Sequence, residues 1–248
     1  MLNYTDCVPL HDKLQSIRAV AFDADDTLWE LQNHFEAVEH EYCRLLAPWG
    51  SSEEVSAELF ATETANMADM GYGCKAFTIS LVENAVRISR GDVTGDVVGR
   101  IVELGKSLLH INATPLEGVE PTLRYLYNLK NAKGKRRLQL ALFTKGELLD
   151  QENKLHRSGL APFFDVVSIV SDKTEKAYRD LCAELEVTPS ELLMVGNSFK
   201  SDIAPALQIG AYAVHVPFRT IWAHEKTEEF EHERLWRFDS LQQLKCIL

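Results

Sequence analysis

The sequence has few cysteines, and they form no recognisable pattern. The 248-residue chain contains five cysteines without a Cys-X-X-Cys pair. They are widely scattered, at Cys7, Cys43, Cys74, Cys182 and Cys246. An odd, dispersed set of this kind argues against a disulfide framework and against a cysteine zinc site, and it is typical of a reducing compartment. We therefore expect a cytoplasmic protein.

Long hydrophobic runs and an excess of positive charge are also lacking. Apolar stretches are short, and the N-terminus has no basic region followed by an apolar core, so we expect neither a membrane span nor a signal peptide. The chain has 26 Lys and Arg against 37 Asp and Glu, a formal net charge of −11. Such a surface repels polyanions, so we expect no general nucleic-acid binding. The net negative charge is still compatible with binding of a small phosphorylated substrate in a local pocket.

Five short apolar segments rich in β-branched residues predict the strands of a sheet. Their near-continuous hydrophobicity is typical of strands buried on both faces of a parallel sheet. Helical patterns separate the last four segments, and this alternation indicates an α/β doubly wound fold. The predicted strands cover residues 17–22, 138–143, 166–170, 192–195 and 212–216.

The long stretch between the first two predicted strands reads as helix. Its apolar residues recur every three or four positions, which places them on single helical faces. The first such face contains Leu31, Phe35, Val38, Tyr42 and Leu45. We therefore predict a Rossmann-like core formed by residues 1–29 and 114–248, and an inserted all-helical cap formed by residues 30–113.

Three carboxylates lie within four residues directly after the first predicted strand, in the segment Asp23-Ala24-Asp25-Asp26-Thr27. They would repel one another at neutral pH unless a cation or a proton relieves the repulsion. Mg²⁺ prefers such oxygen ligands, and one carboxylate can attack as a nucleophile while its neighbour transfers a proton. The alternative interpretation is an acidic turn in which Asp26 or Thr27 caps the next helix.

Polar residues follow the second and third predicted strands as well. Thr144, Lys145 and Gly146 offer a hydroxyl, an ammonium group and a backbone N–H to a phosphate. Lys173 can neutralise a carboxylate or a phosphate, with Lys176 as a competing candidate. Each feature alone is also common as a helix cap or a surface residue.

Oxygen ligands for a cation follow the fourth predicted strand. Gly196 permits close approach of the backbone, and Asn197 and Asp202 supply side-chain oxygens. The carboxyl ends of parallel strands meet at one edge of a sheet, where ligands bind. The four strand ends together predict metal-assisted phosphoryl transfer.

On these residues the chain resembles the haloacid dehalogenase superfamily, in particular its aspartate-dependent phosphatases. Residues 22–28 match the Asp-X-Asp-X-Thr first motif, Thr144 the second-motif hydroxyl and Lys173 the third-motif lysine, and residues 196–202 resemble the fourth motif. The resemblance covers nearly the whole chain. It implies a helical cap between the first and second motifs.

The resemblance also implies roles for these residues. Asp23 would attack phosphorus and form an aspartyl-phosphate, and Asp25 would protonate the leaving oxygen and then activate water. Thr144 and Lys173 would hold the phosphoryl group. Lys145 and Gly146 replace a commoner asparagine after the second-motif hydroxyl and add positive charge beside the phosphate.

By the same resemblance, the chain would bind Mg²⁺ with four residues. They are the Asp23 carboxylate, the backbone carbonyl of Asp25 and the fourth-motif side chains Asn197 and Asp202. The fourth motif usually begins Gly-Asp, whereas Asn197 keeps the oxygen and lacks the charge. We expect this change to weaken metal binding or to give Asp202 a larger share of it.

We therefore predict a Mg²⁺-dependent phosphatase acting on a small phosphorylated metabolite. Three alternatives stay open. A phosphomutase would keep the same motifs, and a 2-haloacid dehalogenase would need neither the metal nor Asp25. A non-catalytic phospho-ligand-binding protein is indicated only by Asn197. The substrate and the oligomeric state do not follow from the sequence.

Two further regions are candidates for lining a substrate pocket. Helical spacing favours a core position for the cap residues Tyr72, Phe77, Met67 and Met70, although they could line the pocket. The segment Trp222 to Glu225 follows the last predicted strand and could border the cleft.

Overall fold

A single parallel sheet organises the part of the chain that the computed structural model describes, residues 14–248. Within these residues the strand order is β3-β2-β1-β4-β5-β6, with every neighbouring pair parallel. The strands are β1 Ala19–Phe22, β2 Gln139–Lys145, β3 Val166–Val170, β4 Leu192–Gly196, β5 Tyr212–His215 and β6 Leu235–Arg237. The predicted doubly wound α/β fold is confirmed.

Helices cover both faces of this sheet. Successive residues of β1 alternate between them: Val20 and Phe22 belong to one hydrophobic cluster, Ala19 and Ala21 to the other. This alternation follows from the two-residue period of a strand, and it explains why the whole segment is apolar. The helices of the core are α5 Val119–Asn128, α6 Leu148–Ser158, α7 Glu175–Glu184 and α8 Ala204–Gln208.

Helices also fill the connection between β1 and β2. They are α1 Gln32–Leu46, α2 Ser52–Met70, α3 Cys74–Ile88 and α4 Gly95–Leu108. Ser51 and Glu54 form a capping box that starts α2, and Thr94 caps α4. These helices share a hydrophobic core of their own, separate from the clusters on the sheet. The predicted cap boundaries stay a prediction, and residues 1–13, with Cys7, lie outside the described residues.

The structure corrects three details of the predicted elements. The strand β6 was not predicted, because Leu235–Arg237 is short and only partly buried at the sheet edge. Strand β2 continues two residues beyond the predicted end and includes Lys145. The helix between β4 and β5, which the sequence pattern predicts over 202–209, begins earlier, as a π-helical turn over Phe199–Ile203, and continues as α8. Among the described residues, no helix combines the length and apolar character needed to cross a membrane.

Candidate active site

A cavity of about 250 Å³ lies at the carboxyl ends of the strands. This is the edge where open parallel sheets bind ligands. Side chains from β1, β2 and the loops after β3 and β4 converge on it, together with residues from the cap. All eight sequence-predicted site residues line the cavity: Asp23, Asp25, Thr144, Lys145, Gly146, Lys173, Asn197 and Asp202.

Asp23, Lys173 and Asp202 form one buried group, which we call the Lys173 triad. The Lys173 ammonium donates to Asp23 Oδ1 at 2.5 Å and to Asp202 Oδ1 at 2.6 Å. Only 1% of the Lys173 side chain is exposed. The triad therefore places two carboxylates around a single positive charge.

The electrostatics of the Lys173 triad favour a further cation. Burial raises the pKa of Asp23, the charge of Asp202 raises it further, and Lys173 offsets only part of this. Burial also disfavours the charge of Lys173, but Asp202 and Asp23 outweigh it and raise the pKa of the lysine above its ordinary value. Because one ammonium faces two carboxylates, an additional positive charge at this place would be stabilised.

Gly196 makes the position of Asp202 possible. A Cβ atom at residue 196 would lie 2.3 Å from Asp202 Oδ2, closer than real Cβ atoms approach another side chain. Asp202 Oδ2 instead accepts the backbone N–H of Ser198 at 2.9 Å. Glycine at the end of β4 thus lets the carboxylate lie against the backbone.

Thr27 links the first strand end to the fourth. Its hydroxyl lies 2.9 Å from Asp23 Oδ2 and 3.1 Å from Asn197 Oδ1, and it accepts the Asn197 backbone N–H at 3.1 Å. The capping interpretation was therefore wrong for Thr27. Asp26 is not the N-cap residue either, because Leu31 holds that position, but the Asp26 carboxylate accepts the backbone N–H groups of Leu31 and Gln32 at the start of α1.

The donor set at these strand ends suits Mg²⁺. Asp23 and Asp202 offer carboxylate oxygens and Asn197 an amide oxygen, all hard ligands that follow the adjacent strands β1 and β4. Residues 14–248 contain no group of three or more His, Cys, Asp or Glu side chains placed to hold a metal. Asn197 would thus act as the third protein ligand, and the excess negative charge of the Lys173 triad supports a divalent cation there.

Asp25 has a separate lysine. Lys154 donates to both carboxylate oxygens of Asp25 at 2.8 Å and lies 3.4 Å from Asp150 Oδ2. We call Asp25, Lys154 and Asp150 the Lys154 triad. Trp29 Nε1 donates to Asp25 Oδ1 at 2.7 Å, and Gln151 Nε2 donates to Asp25 Oδ2 at 2.8 Å. Asp25 thus lines the same cavity as Asp23 but is held by different partners.

Gln151, Lys154 and Trp29 were not among the site residues predicted from the sequence. A signal for two of them was present in α6, which follows the second motif. Asp150 and Lys154 are an acid–base pair four residues apart, and Gln151 stands three residues before the lysine. These polar residues lie beside Leu155 on the buried side of α6, where polar side chains are rare unless they have partners.

The residues at the end of β2 line the cavity but differ in their hydrogen bonding. Thr144 is buried, and its hydroxyl makes no hydrogen bond to another described residue. The Gly146 N–H donates to the Val170 carbonyl at 3.0 Å, so it is committed to the neighbouring strand. The part of Gly146 in phosphate binding stays a prediction, and in this structure its N–H is paired with β3. Lys176, the competing lysine, is an exposed residue paired with Asp180.

Lys145 forms an ion pair with Glu225 inside the cavity. Its ammonium also donates to Ser201 Oγ at 3.0 Å and lies 4.4 Å from the centre of the Tyr72 ring. Burial raises the pKa of Glu225, but the charge of Lys145 and hydrogen bonds from Lys145, Ser198 and Ser201 outweigh it and lower the pKa. This pair forms a polar wall beside the aromatic residues of the cavity.

The side of the cavity that faces the cap is more apolar. Phe35, Tyr72 and Trp222 line it, and the rings of Tyr72 and Trp222 pack edge to face at 5.9 Å. Phe77 instead belongs to the cap core. His224 stacks on Phe60 of α2 at 4.2 Å rather than lining the cavity.

Met67 and Met70 are absent from the described cavity lining, and Met70 is exposed on the surface. Of the cap residues singled out from the sequence, Tyr72 is therefore the one that reaches the site. Of the segment after β5, Trp222 and Glu225 do so.

Comparison with known proteins agrees with this geometry. The profile of the haloacid dehalogenase-like hydrolases matches residues 17–210. A glyceraldehyde 3-phosphate phosphatase of Methanothermobacter thermautotrophicus is 25% identical over 243 residues, which are 94% of this chain and 100% of that protein. A haloacid dehalogenase-like family hydrolase from Xanthomonas campestris superposes with a TM-score of 0.81 at 27% identity, over 92% of this chain and 88% of that chain.

A 2-haloacid dehalogenase from Pseudomonas syringae pv. Tomato DC3000 shares the fold, with a TM-score of 0.60 at 20% identity over 92% of this chain and 96% of that chain. The chain is thus similar in sequence to a phosphatase and shares its fold with a dehalogenase. The family resemblance carried by the sequence motifs is confirmed, and the chain belongs to the haloacid dehalogenase-like hydrolases.

Proposed function

We propose that this hydrolase is a Mg²⁺-dependent phosphatase that hydrolyses a small phosphorylated metabolite through an aspartyl-phosphate. The observation that carries the proposal is a second carboxylate, Asp25, which lines the cavity two residues after Asp23 and has its own set of donors. A phosphate ester needs such a group because its leaving oxygen has to be protonated. The phosphatase from Methanothermobacter thermautotrophicus supports the same reaction class.

In the first step, an Asp23 carboxylate oxygen attacks phosphorus and forms an O–P bond. The bond between phosphorus and the leaving oxygen breaks, and protonated Asp25 transfers its proton to that oxygen. Lys173, 2.5 Å from Asp23, orients the nucleophile and offsets negative charge on the transferred group. The Thr144 hydroxyl at the end of β2 can donate to a phosphoryl oxygen.

In the second step, the Asp25 carboxylate takes a proton from water, and the water oxygen attacks phosphorus. The O–P bond to Asp23 breaks, inorganic phosphate leaves, and both carboxyl groups return to their starting protonation states. Asp23, Asn197 and Asp202 would hold Mg²⁺. When bound there, Mg²⁺ would offset the negative charge of the nucleophile and of the phosphoryl group.

The dimensions of the cavity support a small substrate. About 250 Å³ is below the size typical of sites for drug-sized ligands. Phe35, Tyr72 and Trp222 cover the side that faces the cap and would limit the access of bulk water while the substrate reacts. The polar Lys145–Glu225 wall would contact the leaving group. The cytoplasmic location stays a prediction.

The dehalogenase alternative agrees with the site less well. A halide leaves without protonation, so a dehalogenase has no use for Asp25 or for the three side chains that hold it. A phosphomutase would use the same residues and would differ in passing the phosphoryl group to a second substrate hydroxyl instead of water. A non-catalytic phospho-ligand-binding protein would need no proton-transfer group.

Phosphate release from a panel of small phosphate esters tests the proposal. The panel contains an aryl phosphate, sugar phosphates, phosphorylated carboxylic acids and nucleoside monophosphates, each with Mg²⁺ or with EDTA. We expect steady phosphate release that requires Mg²⁺ and is lost in D23N. D180N removes an exposed carboxylate on α7 and is the matched control, with unchanged activity.

Three outcomes would contradict the proposal. Halide release from 2-chloropropionate without Mg²⁺ would identify a dehalogenase. Phosphoryl transfer to an added sugar hydroxyl in place of water would identify a phosphomutase. Saturable binding of a phosphorylated ligand without turnover of any panel member would identify a binding protein.

A further inference from the structure

A second buried lysine, Lys154, has no role in the steps described above. It is buried as deeply as Lys173, with 1% of each side chain exposed. A buried charge is costly unless it is paired and hydrogen-bonded. Lys154 contacts Asp25 through both carboxylate oxygens at 2.8 Å and reaches Asp150 at 3.4 Å. Its placement at the candidate proton-transfer group therefore requires an explanation.

The hydrogen bonds of Asp25 account for all of its acceptor sites. An ionised carboxylate offers about four lone-pair sites. Oδ1 accepts from Trp29 Nε1 and Lys154 Nζ, and Oδ2 accepts from Gln151 Nε2 and Lys154 Nζ. Proton exchange with a substrate oxygen or with water thus requires one of these donors to move away.

Gln151 is the donor that can move at the lowest cost. Hydrogen bonds between charged groups are about twice as strong as neutral ones, so the contact with Lys154 is the most strongly held. The Gln151 amide nitrogen also donates to the Lys145 carbonyl at 3.0 Å, and it keeps this partner when it leaves Asp25. Asp25 therefore has a fixed contact with the charged Lys154 and exchangeable contacts with neutral donors.

We propose that Lys154 is a positioning residue for proton transfer, which anchors the Asp25 carboxyl group at the cavity edge while Gln151 yields its place to the leaving oxygen or to the attacking water. Asp150, one helical turn before Lys154 on α6, holds the ammonium from the other side. The inference rests on the proposed phosphatase function, because a reaction without proton transfer would not need the anchor.

A pair of substrates that differ in leaving-group quality tests the role of Lys154. Phenyl phosphate needs its leaving oxygen protonated, whereas dinitrophenyl phosphate does not, and both present an aryl ring. General acid catalysis contributes roughly 10²–10⁴-fold. We expect K154M to lower kcat/KM, which reports the steps up to departure of the leaving group, at least about tenfold more for phenyl phosphate than for dinitrophenyl phosphate. The ratio of the two rates within one variant is independent of how much of the protein is folded.

Three further variants complete the test. D25N should show the same selective loss, and the double variant K154M/D25N should be no more selective than D25N, because the two residues act as one unit. R157M removes an exposed cation from the same helix, and its ratio of the rates on the two substrates should equal that of wild type. Equal losses of kcat/KM on both substrates in K154M, or selectivity losses that add in the double variant, would overturn the positioning role. A wild-type protein that hydrolyses neither substrate would overturn the phosphatase function itself, and the inference with it.

Discussion

The Lys173 triad and the Lys154 triad use the same two residue types, lysine and aspartate, for different ends. Each places a buried lysine between two aspartates, and the first aspartates, Asp23 and Asp25, are two residues apart in sequence. In the Lys154 triad, neutral donors from Trp29 and Gln151 complete the hydrogen bonding of Asp25. In the Lys173 triad, burial and a second carboxylate raise the pKa of Asp23.

The difference shows how one strand end can supply two carboxylates with distinct chemistry. Asp25 is satisfied by the chain itself, so its position is fixed before any ligand arrives. Asp23 is left with excess negative charge around it, which a divalent cation and the electrophilic phosphoryl group would relieve. The four predictions that follow test this contrast, in order of decreasing expected effect.

Removal of the nucleophile should have the largest effect. D23N keeps the size of the side chain but loses the attacking oxygen, so we expect phosphate release to fall by at least about 10⁴-fold. Attack by Asp23 is required whichever group leaves. The loss of kcat/KM in D23N should therefore be the same for phenyl and dinitrophenyl phosphate, in contrast to D25N. Initial rates on both substrates measure this difference, and a D23N loss confined to phenyl phosphate would break the distinction between the two carboxylates.

Removal of the shared cation should destabilise the fold. K173M leaves Asp23 and Asp202 buried without their partner, and breaking a buried ion pair costs roughly 3–5 kcal/mol. We expect a loss of that size in the free energy of unfolding from urea denaturation at neutral pH. K176M removes an exposed lysine and should change it by less than about 0.5 kcal/mol. Similar values for the two variants would contradict the account of the Lys173 triad.

Glu63 of the cap has a partly buried carboxylate whose charged neighbour is a histidine and not a lysine. Burial, and then the charge of Glu39, raise its pKa from 4.5 to about 7, and its nearest cationic candidate is His224 at 3.9 Å. The folded protein therefore keeps a proton that the unfolded chain loses near pH 4.5, so this contribution to stability is lost as pH rises to about 7. At about 1.4 kcal/mol per pKa unit, wild type should lose up to about 3 kcal/mol relative to E63Q between pH 5 and pH 8.

Urea denaturation of wild type and E63Q at both pH values measures this effect, with E53Q at an exposed position of α2 as the control. A constant difference in unfolding free energy between wild type and E63Q would show that Glu63 is not held in its protonated form.

Restoration of the usual fourth-motif charge should have a smaller effect. N197D adds a third carboxylate beside Asp23 and Asp202, and ligand charge increases affinity for hard divalent cations. We expect the Mg²⁺ concentration for half-maximal activity to fall about tenfold, equivalent to about 1.4 kcal/mol. A Mg²⁺ titration of initial rates measures it. An unchanged or higher half-saturating concentration would mean that residue 197 does not contact the metal.

Much of the fold and of the Lys173 triad could be predicted from the sequence because the buried strands and the polar residues at their ends are easily recognised. Buried parallel strands are continuous apolar runs, and polar residues directly after them converge by topology. Strand β6 was missed because its three residues are partly exposed and lack this signal.

The Lys154 triad could not be predicted in the same way. Its lysine and glutamine come from the interior of α6, not from a strand end, and the rotation of that helix against Asp25 depends on tertiary packing. Strand β2 continues further than its apolar run predicts, and its pairing with β3 is followed by a hydrogen bond from the Gly146 N–H to the Val170 carbonyl.

The most direct test of the account is detection of the phosphorylated Asp23. Wild type and D25N are mixed with dinitrophenyl phosphate and Mg²⁺, quenched in acid within one turnover, and analysed by mass spectrometry after proteolysis. The account predicts one phosphoryl group on the peptide that contains Asp23, absent from D23N and accumulated in D25N, where water is no longer activated. Turnover of the phosphate ester with no adduct in D25N, or with full activity in D23N, would contradict it.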